Sequence, residues 1–112
     1  MTNEEKINYL NQYYSEIDPE FTKKYDNNLS EDILLECIKE ETPICLQNED
    51  EHRWYFLYEA IYKFGDKYFS FPYLKSKSDG GDSAEDLGFH FTIKDLEEVE
   101  PYEVTVTRYK KK

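Results

Sequence analysis

A chain of 112 residues with 25 acidic and 14 basic side chains, a net charge of −11, is long enough for one modest core and too short for two lobes with a catalytic cleft between them. Acidity of this size repels nucleic-acid phosphates and anionic membrane over a Debye length and speeds encounter with basic partners. Eleven tyrosines and seven phenylalanines supply more apolar area than the 38% hydrophobic fraction implies, so the chain reads as folded, not disordered.

The start, MTNEEKINYL, lacks a basic segment followed by an apolar run, and no stretch of eighteen apolar residues exists, so a soluble cytoplasmic protein is expected. The first element is NEEKINYLNQYYSEI. Ile7, Leu10, Tyr14 and Ile17 recur at intervals of three and four, with Asn3, Glu4 and Glu5 at the end where caps and negative charge belong. Asp18-Pro19 stops this helix. PEFTKKYDNN then reads either as a short helical turn or as an ordered loop.

A second helix follows in LSEDILLECIKEETP, with Ser30 as N-cap, Leu29 and Leu34 as a hydrophobic staple, and Ile33, Leu34, Cys37 and Ile38 as its buried stripe. On the other side Asp32, Glu36 and Glu40 form a row of carboxylates with a rise of about 6 Å between neighbours. ICLQ, residues 44–47, reads as a short edge strand leading into the acidic loop NEDE.

HRWYFLYEAIYKFGDKYFSFPY, residues 52–73, gathers one Trp, four Phe and five Tyr. Taking Gly65-Asp66 as a two-residue turn fixes a hairpin register in which Phe64 opposes Lys67, Tyr62 opposes Phe69, Ala60 opposes Phe71 and Tyr58 opposes Tyr73. Trp54, Phe56, Tyr58, Tyr62, Phe69 and Phe71 then form one aromatic wall that must be buried against the helices. The reverse face is mixed: Tyr55, Leu57, Glu59, Ile61 and Lys63 on one strand, Tyr68, Ser70 and Pro72 on the other. Residues 75–88, KSKSDGGDSAEDLG, read as a mobile acidic loop; FHFTI as a third strand with Phe89, Phe91 and Ile93 on one side; and VEPYEVTVTRYK as a fourth in which Val104 and Val106 alternate with threonines. The expected fold is an α+β single domain over 1–112: two N-terminal helices (1–43) on one face of a mainly antiparallel sheet of about four strands (44–109), with a central aromatic hairpin and a basic tail at 110–112.

Chemistry is sparse. Cys37 and Cys45 lack CxxC spacing and read as free thiols, so no metal and no cofactor are expected. Asp79, Asp82, Glu85 and Asp86 do not follow the EF-hand pattern. His52 and His90 are the only neutral-pH proton carriers, and neither sits in a recognisable nucleophile motif; a small acid–base enzyme using one of them is the weakest reading. An aromatic base-stacking platform would need a basic groove, and the charge here has the wrong sign.

The reading that remains is a non-enzymatic binding module. Residues 1–107 hold 25 acids and 10 bases, a net of −15, because RYKKK at the end carries four of the positives. Fixed anions at regular spacing imitate a phosphate backbone. The expected partner-binding surface is therefore Asp32, Glu36, Glu40 and Glu41 on the helix, Glu49, Asp50 and Glu51 in the following segment, and Asp79, Asp82, Glu85 and Asp86 in the loop. An alternative is a homo-oligomer or scaffold that uses Tyr55, Leu57 and Ile61 on the mixed hairpin face.

The hairpin segment together with EVEPYEVTVTRYKKK, through Arg53, Trp54, Pro101 and Tyr109, resembles small accessory proteins carried by phages and mobile elements of low-GC Gram-positive bacteria. The resemblance covers roughly the second half of the chain. It implies a phage setting, in which small acidic proteins include anti-CRISPR and other anti-defence inhibitors, some of them DNA mimics. The partner it implies is a host defence protein such as a CRISPR effector nuclease.

Overall fold

The Gly65-Asp66 turn places every residue of the hairpin. In the computed structural model, which describes residues 1–77 and 87–112, the chain runs α1 (Asn3–Ile17), α2 (Pro19–Lys23), α3 (Glu31–Glu40), β1 (Cys45–Glu51), β2 (Tyr55–Phe64), β3 (Lys67–Ser76), a 3-10 turn (Ile93–Asp95) and β4 (Glu97–Val99). The strands form one antiparallel sheet in the order β1-β2-β3-β4, and the α+β class follows from helices gathered on it. Phe64 faces Lys67, Tyr62 faces Phe69, Ala60 faces Phe71 and Tyr58 faces Tyr73, the register that counting outward from the glycine gives. Gly65 has φ +70° and Asp66 a negative φ, the pattern of a type II′ turn, whose twist matches that of the strands it joins.

Local sequence sets the helix ends. Thr2, not Asn3, caps α1: its hydroxyl accepts from the Glu5 N–H while the Glu5 carboxylate accepts from the Thr2 N–H. Ser30 caps α3 by accepting from the Ile33 N–H. The segment between them resolves into the single turn α2, opened by Asp18 as cap and Pro19 at the first position. Asn11 ties this region down, its side-chain amide exchanging two hydrogen bonds with the backbone of Leu29.

The core joins Leu10 and Tyr14 of α1, Leu29, Leu34 and Ile38 to Tyr62, Phe64, Phe69 and Phe71 of the hairpin, closed off by Ile93 and Leu96. Phe64, which the expected wall omitted, is its hub. The rings of Tyr13, Tyr62 and Phe69 lie 5.3, 5.9 and 5.9 Å from it. The wall is buried only where the helices reach. A ten-residue strand spans about 33 Å, and α1 docks at the turn end, so Phe56 and Tyr58 are half-buried and Trp54 is 62% exposed. Charged side chains cover these far rings instead: the Arg53 guanidinium lies 4.7 Å from the Trp54 ring and the Lys77 ammonium 4.7 Å from that of Phe56.

Four expected elements differ. NEDE is not a loop, because β1 runs through Glu51; Asn48 adopts a left-handed conformation (φ +55°) at an irregularity between Gln47 and Asp50 that lets the pairing resume. FHFTI is not a strand. The Ile93 N–H donates to the Glu31 carboxylate (3.1 Å) and the Ile93 carbonyl accepts from the Lys6 ammonium (3.3 Å), so two charged side chains take the groups a strand would offer to a ladder. The fourth strand is not where VEPYEVTVTRYK placed it: β4 is Glu97–Val99 and ends ahead of Pro101, which has no N–H to donate, and residues 101–112 are exposed without regular structure. Lys75 and Ser76, assigned to the mobile loop at 75–88, belong to β3; residues 78–86 lie outside the described part.

Two substitutions test this packing. Phe69→Ala should destabilise the domain by about 3–5 kcal/mol, the usual cost of emptying a fully buried ring site. Gly65→Ala should cost about 1–2 kcal/mol for the positive φ and more again because a Cβ there would lie 2.9 Å from the Tyr9 hydroxyl oxygen. Adding Tyr9→Phe should recover part of the second loss, read as coupling in denaturation midpoints. Independent effects at positions 9 and 65 would show that the turn and α1 do not meet as described.

Candidate functional site

Among the described residues, side-chain alternation leaves one face of the sheet without a helix. Leu57 and Glu59 of β2 and Ser70 and Pro72 of β3 point there, and their cross-strand partners add Asp50 beside Leu57 and Glu97 beside Ser70. These residues line a cleft of about 470 Å³ with Asp95 at its rim. Asp50, Glu59, Asp95 and Glu97 supply its carboxylates, and Leu57 and Pro72 its apolar floor. Three of the four acids are oriented by their neighbours. The Asn48 amide donates to Glu59, the Thr92 N–H donates to Asp95 (2.8 Å), and His52 Nε2 lies 3.0 Å from the Asp50 carboxylate. Among the described residues no group of three or more His, Cys, Asp or Glu is arranged to hold a metal ion. What the arrangement can do is accept the charged head of a lysine or arginine while its aliphatic stem lies on Leu57 and Pro72.

The residues singled out in the sequence fall in several places. Asp32, Glu36 and Glu40 are exposed along α3, on the helical side of the sheet, with Glu36 3.3 Å from Lys39. Glu41 does not continue that row: it is half-buried at the C-cap and accepts the Tyr14 hydroxyl (3.3 Å) beside a second cleft with Cys37 and Phe21. Glu49 accepts the Tyr58 hydroxyl (2.8 Å), and Glu51 pairs with Lys77 (2.8 Å). Asp79, Asp82, Glu85 and Asp86 lie outside the described residues. Tyr55, Leu57 and Ile61 share the open face, but Ile61 is 8% exposed and offers little surface. His52 stacks on Tyr55 at 4.5 Å next to Asp50, whereas His90 is exposed on a separate segment. Glu97 was missed in the sequence because its strand was placed two residues too late, and Asp95 because the 3-10 turn that ends at it was not expected; Glu59 was legible as an outward residue of the hairpin.

Burial first, and neighbouring acids second, keep several tyrosines protonated. Burial, with the nearby Glu41 charge second, pushes the Tyr14 phenol far above its ordinary value, and burial likewise raises Tyr62, Tyr13 and Tyr9. For Tyr58 the hydrogen bond to Glu49 is the main cause of its upward shift. Unfolded tyrosines ionise near pH 10, so above that pH the unfolded chain loses protons that the folded chain retains. Stability from these groups is complete below about pH 10 and falls as pH rises beyond it. Phenolate absorbance from Tyr14 and Tyr62 should therefore appear cooperatively, coincident with loss of circular dichroism. A single smooth titration with the fold intact would contradict the burial of Tyr14 and Tyr62.

Compared with known proteins, the chain matches no family model, no curated sequence and no solved structure at a significant level.

Proposed function

We propose that this protein acts by binding and not by catalysis, as an inhibitor that engages a basic, nucleic-acid-handling protein through an acidic surface. The observation that carries this reading is the cleft on the open sheet face, where Asp50, Glu59, Asp95 and Glu97 surround Leu57 and Pro72. An acidic rim alone would attract any cation weakly; an acidic rim over an apolar floor favours the long amphipathic side chains of a nucleic-acid-binding groove. The chain's net charge of −11 adds long-range attraction to such a groove. The phage setting implied by the hairpin and the C-terminal segment makes a host defence nuclease, such as a CRISPR effector, the partner class proposed here. The carboxylate row of α3 supports a second contact surface, since Asp32, Glu36 and Glu40 are all exposed at phosphate-like intervals.

Affinity capture from a bacterial host lysate, followed by binding assays on the recovered partner, tests the reading. Glu59→Lys with Glu97→Lys should weaken the complex by at least tenfold, on the scale of about 1.4 kcal/mol, with the unfolding midpoint checked because Glu59 also holds Asn48. Rising salt should weaken it further. If reversal of Asp32, Glu36 and Glu40 abolishes binding while the cleft variant binds normally, the interface is α3 and not the cleft. A complex indifferent to both reversals and to salt would overturn the acidic-surface reading altogether.

A further inference from the structure

The C-terminal segment has the pattern of a strand that the isolated fold does not use. Tyr102, Val104 and Val106 alternate with Glu103, Thr105 and Thr107, the β-branched, period-two composition of a strand with one apolar face. Yet Tyr102 is 84%, Val104 65% and Val106 64% exposed, and β4 stops before them. A 112-residue chain packed as one body has a radius of gyration of about 13 Å. The value here is 17.0 Å with a longest extent of 63 Å, as a projecting arm would give.

The sheet meanwhile has a free edge. Among the described residues β1 pairs only with β2, all seven of its residues are exposed, and Ile44 and Leu46 add apolar surface there at 59% and 41% exposure. Such an edge offers a row of unpaired backbone donors and acceptors. Charge divides both segments the same way. β1 begins with apolar and neutral residues and ends in Glu49, Asp50 and Glu51; the arm begins with Tyr102, Val104 and Val106 and ends in Arg108 and Lys110–Lys112. Laid parallel to β1, with Val104 beside Leu46, the arm sets its cationic end against the acidic end of the strand. An antiparallel alignment with Val104 beside Leu46 would instead set Glu100 against Asp50 and carry Arg108 back to Thr42, away from the acidic end of the strand.

We propose that two copies of this chain exchange their C-terminal arms, each arm adding a fifth strand to the β1 edge of the other. Both unsatisfied features are then paired, and the exchange is self-complementary: each copy gives one arm and receives one, which closes a two-fold dimer. This assembly shares Asp50 with the acidic cleft but does not rest on that reading, and its backbone contacts lie along the β1 edge.

Sedimentation velocity over a range of concentrations compares the full chain with a chain ending at Tyr102. The full chain should move from 13.5 kDa to twice that mass as concentration rises, and the shortened chain should remain monomeric with the same unfolding midpoint. Glu49→Lys, Asp50→Lys and Glu51→Lys together should raise the dissociation constant about tenfold or more. Converting Arg108 and the three terminal lysines to Glu in the same chain should restore it. Glu103→Cys in a Cys37→Ala background tests the alignment directly, because neighbouring strands lie about 5 Å apart and position 103 falls beside the native Cys45. Mild oxidation should then give a disulfide-linked dimer on a non-reducing gel. A full chain that stays monomeric at every concentration, a dimer that survives loss of the arm, or a 103–45 disulfide formed within one chain would each overturn the exchange.

Discussion

The docking of α1 on the turn end of the hairpin is the contact on which the rest of the architecture depends. The Tyr9 hydroxyl donates to the Phe64 carbonyl at the turn, with the Asp66 carboxylate 3.2 Å from the same oxygen, while Tyr13 and Tyr14 close around the Phe64 ring. A polar bond and a ring cluster thus meet at one point and fix both where the helix lies and which sheet face it covers. Only glycine serves at position 65, because its φ is positive and the Tyr9 oxygen occupies the space a side chain would need.

Everything else in the sheet follows from that choice of face. With the helices gathered over Tyr62, Phe64, Phe69 and Phe71, alternation turns Leu57, Glu59 and Pro72 outward. The return of the chain after residue 87 is anchored by Lys6 and Glu31 on the two poles of Ile93, and this anchor delivers Asp95 and Glu97 to the rim of the outward cleft. Lys6 is 6% exposed, an unusual position for a lysine, and its ammonium meets a backbone carbonyl there. The helical half of the molecule therefore sets the geometry of the acidic face without contributing a side chain to the cleft.

Much of this was legible because the signals were local. A glycine-led turn between alternating rings determines a register, and Ser30 ahead of two acids determines a helix start. What was not legible depended on contacts distant in sequence. FHFTI has the composition of a strand, and nothing in it indicates that Lys6 and Glu31 will take the Ile93 backbone. The strength of β-pattern in YEVTVT similarly points to a strand, while the proline at 101 ends the ladder and, among the described residues, the segment is left unpaired in the single chain. The acidic row on α3 was readable from its spacing, but the cleft required β4 to begin at Glu97, a boundary set by the pairing of Ser70 with Glu97 and of Tyr68 with Val99.

The central proposal is that the sheet face opposite the helices, and not acidity in general, receives a basic partner. Titrating the isotopically labelled protein with a short arginine-rich peptide, while following backbone amide resonances, tests it residue by residue. The account predicts shifts concentrated at Asp50, Leu57, Glu59, Asp95 and Glu97, saturable and diminished by salt. Shifts confined to Asp32, Glu36 and Glu40, or spread evenly over every exposed acid, would contradict it.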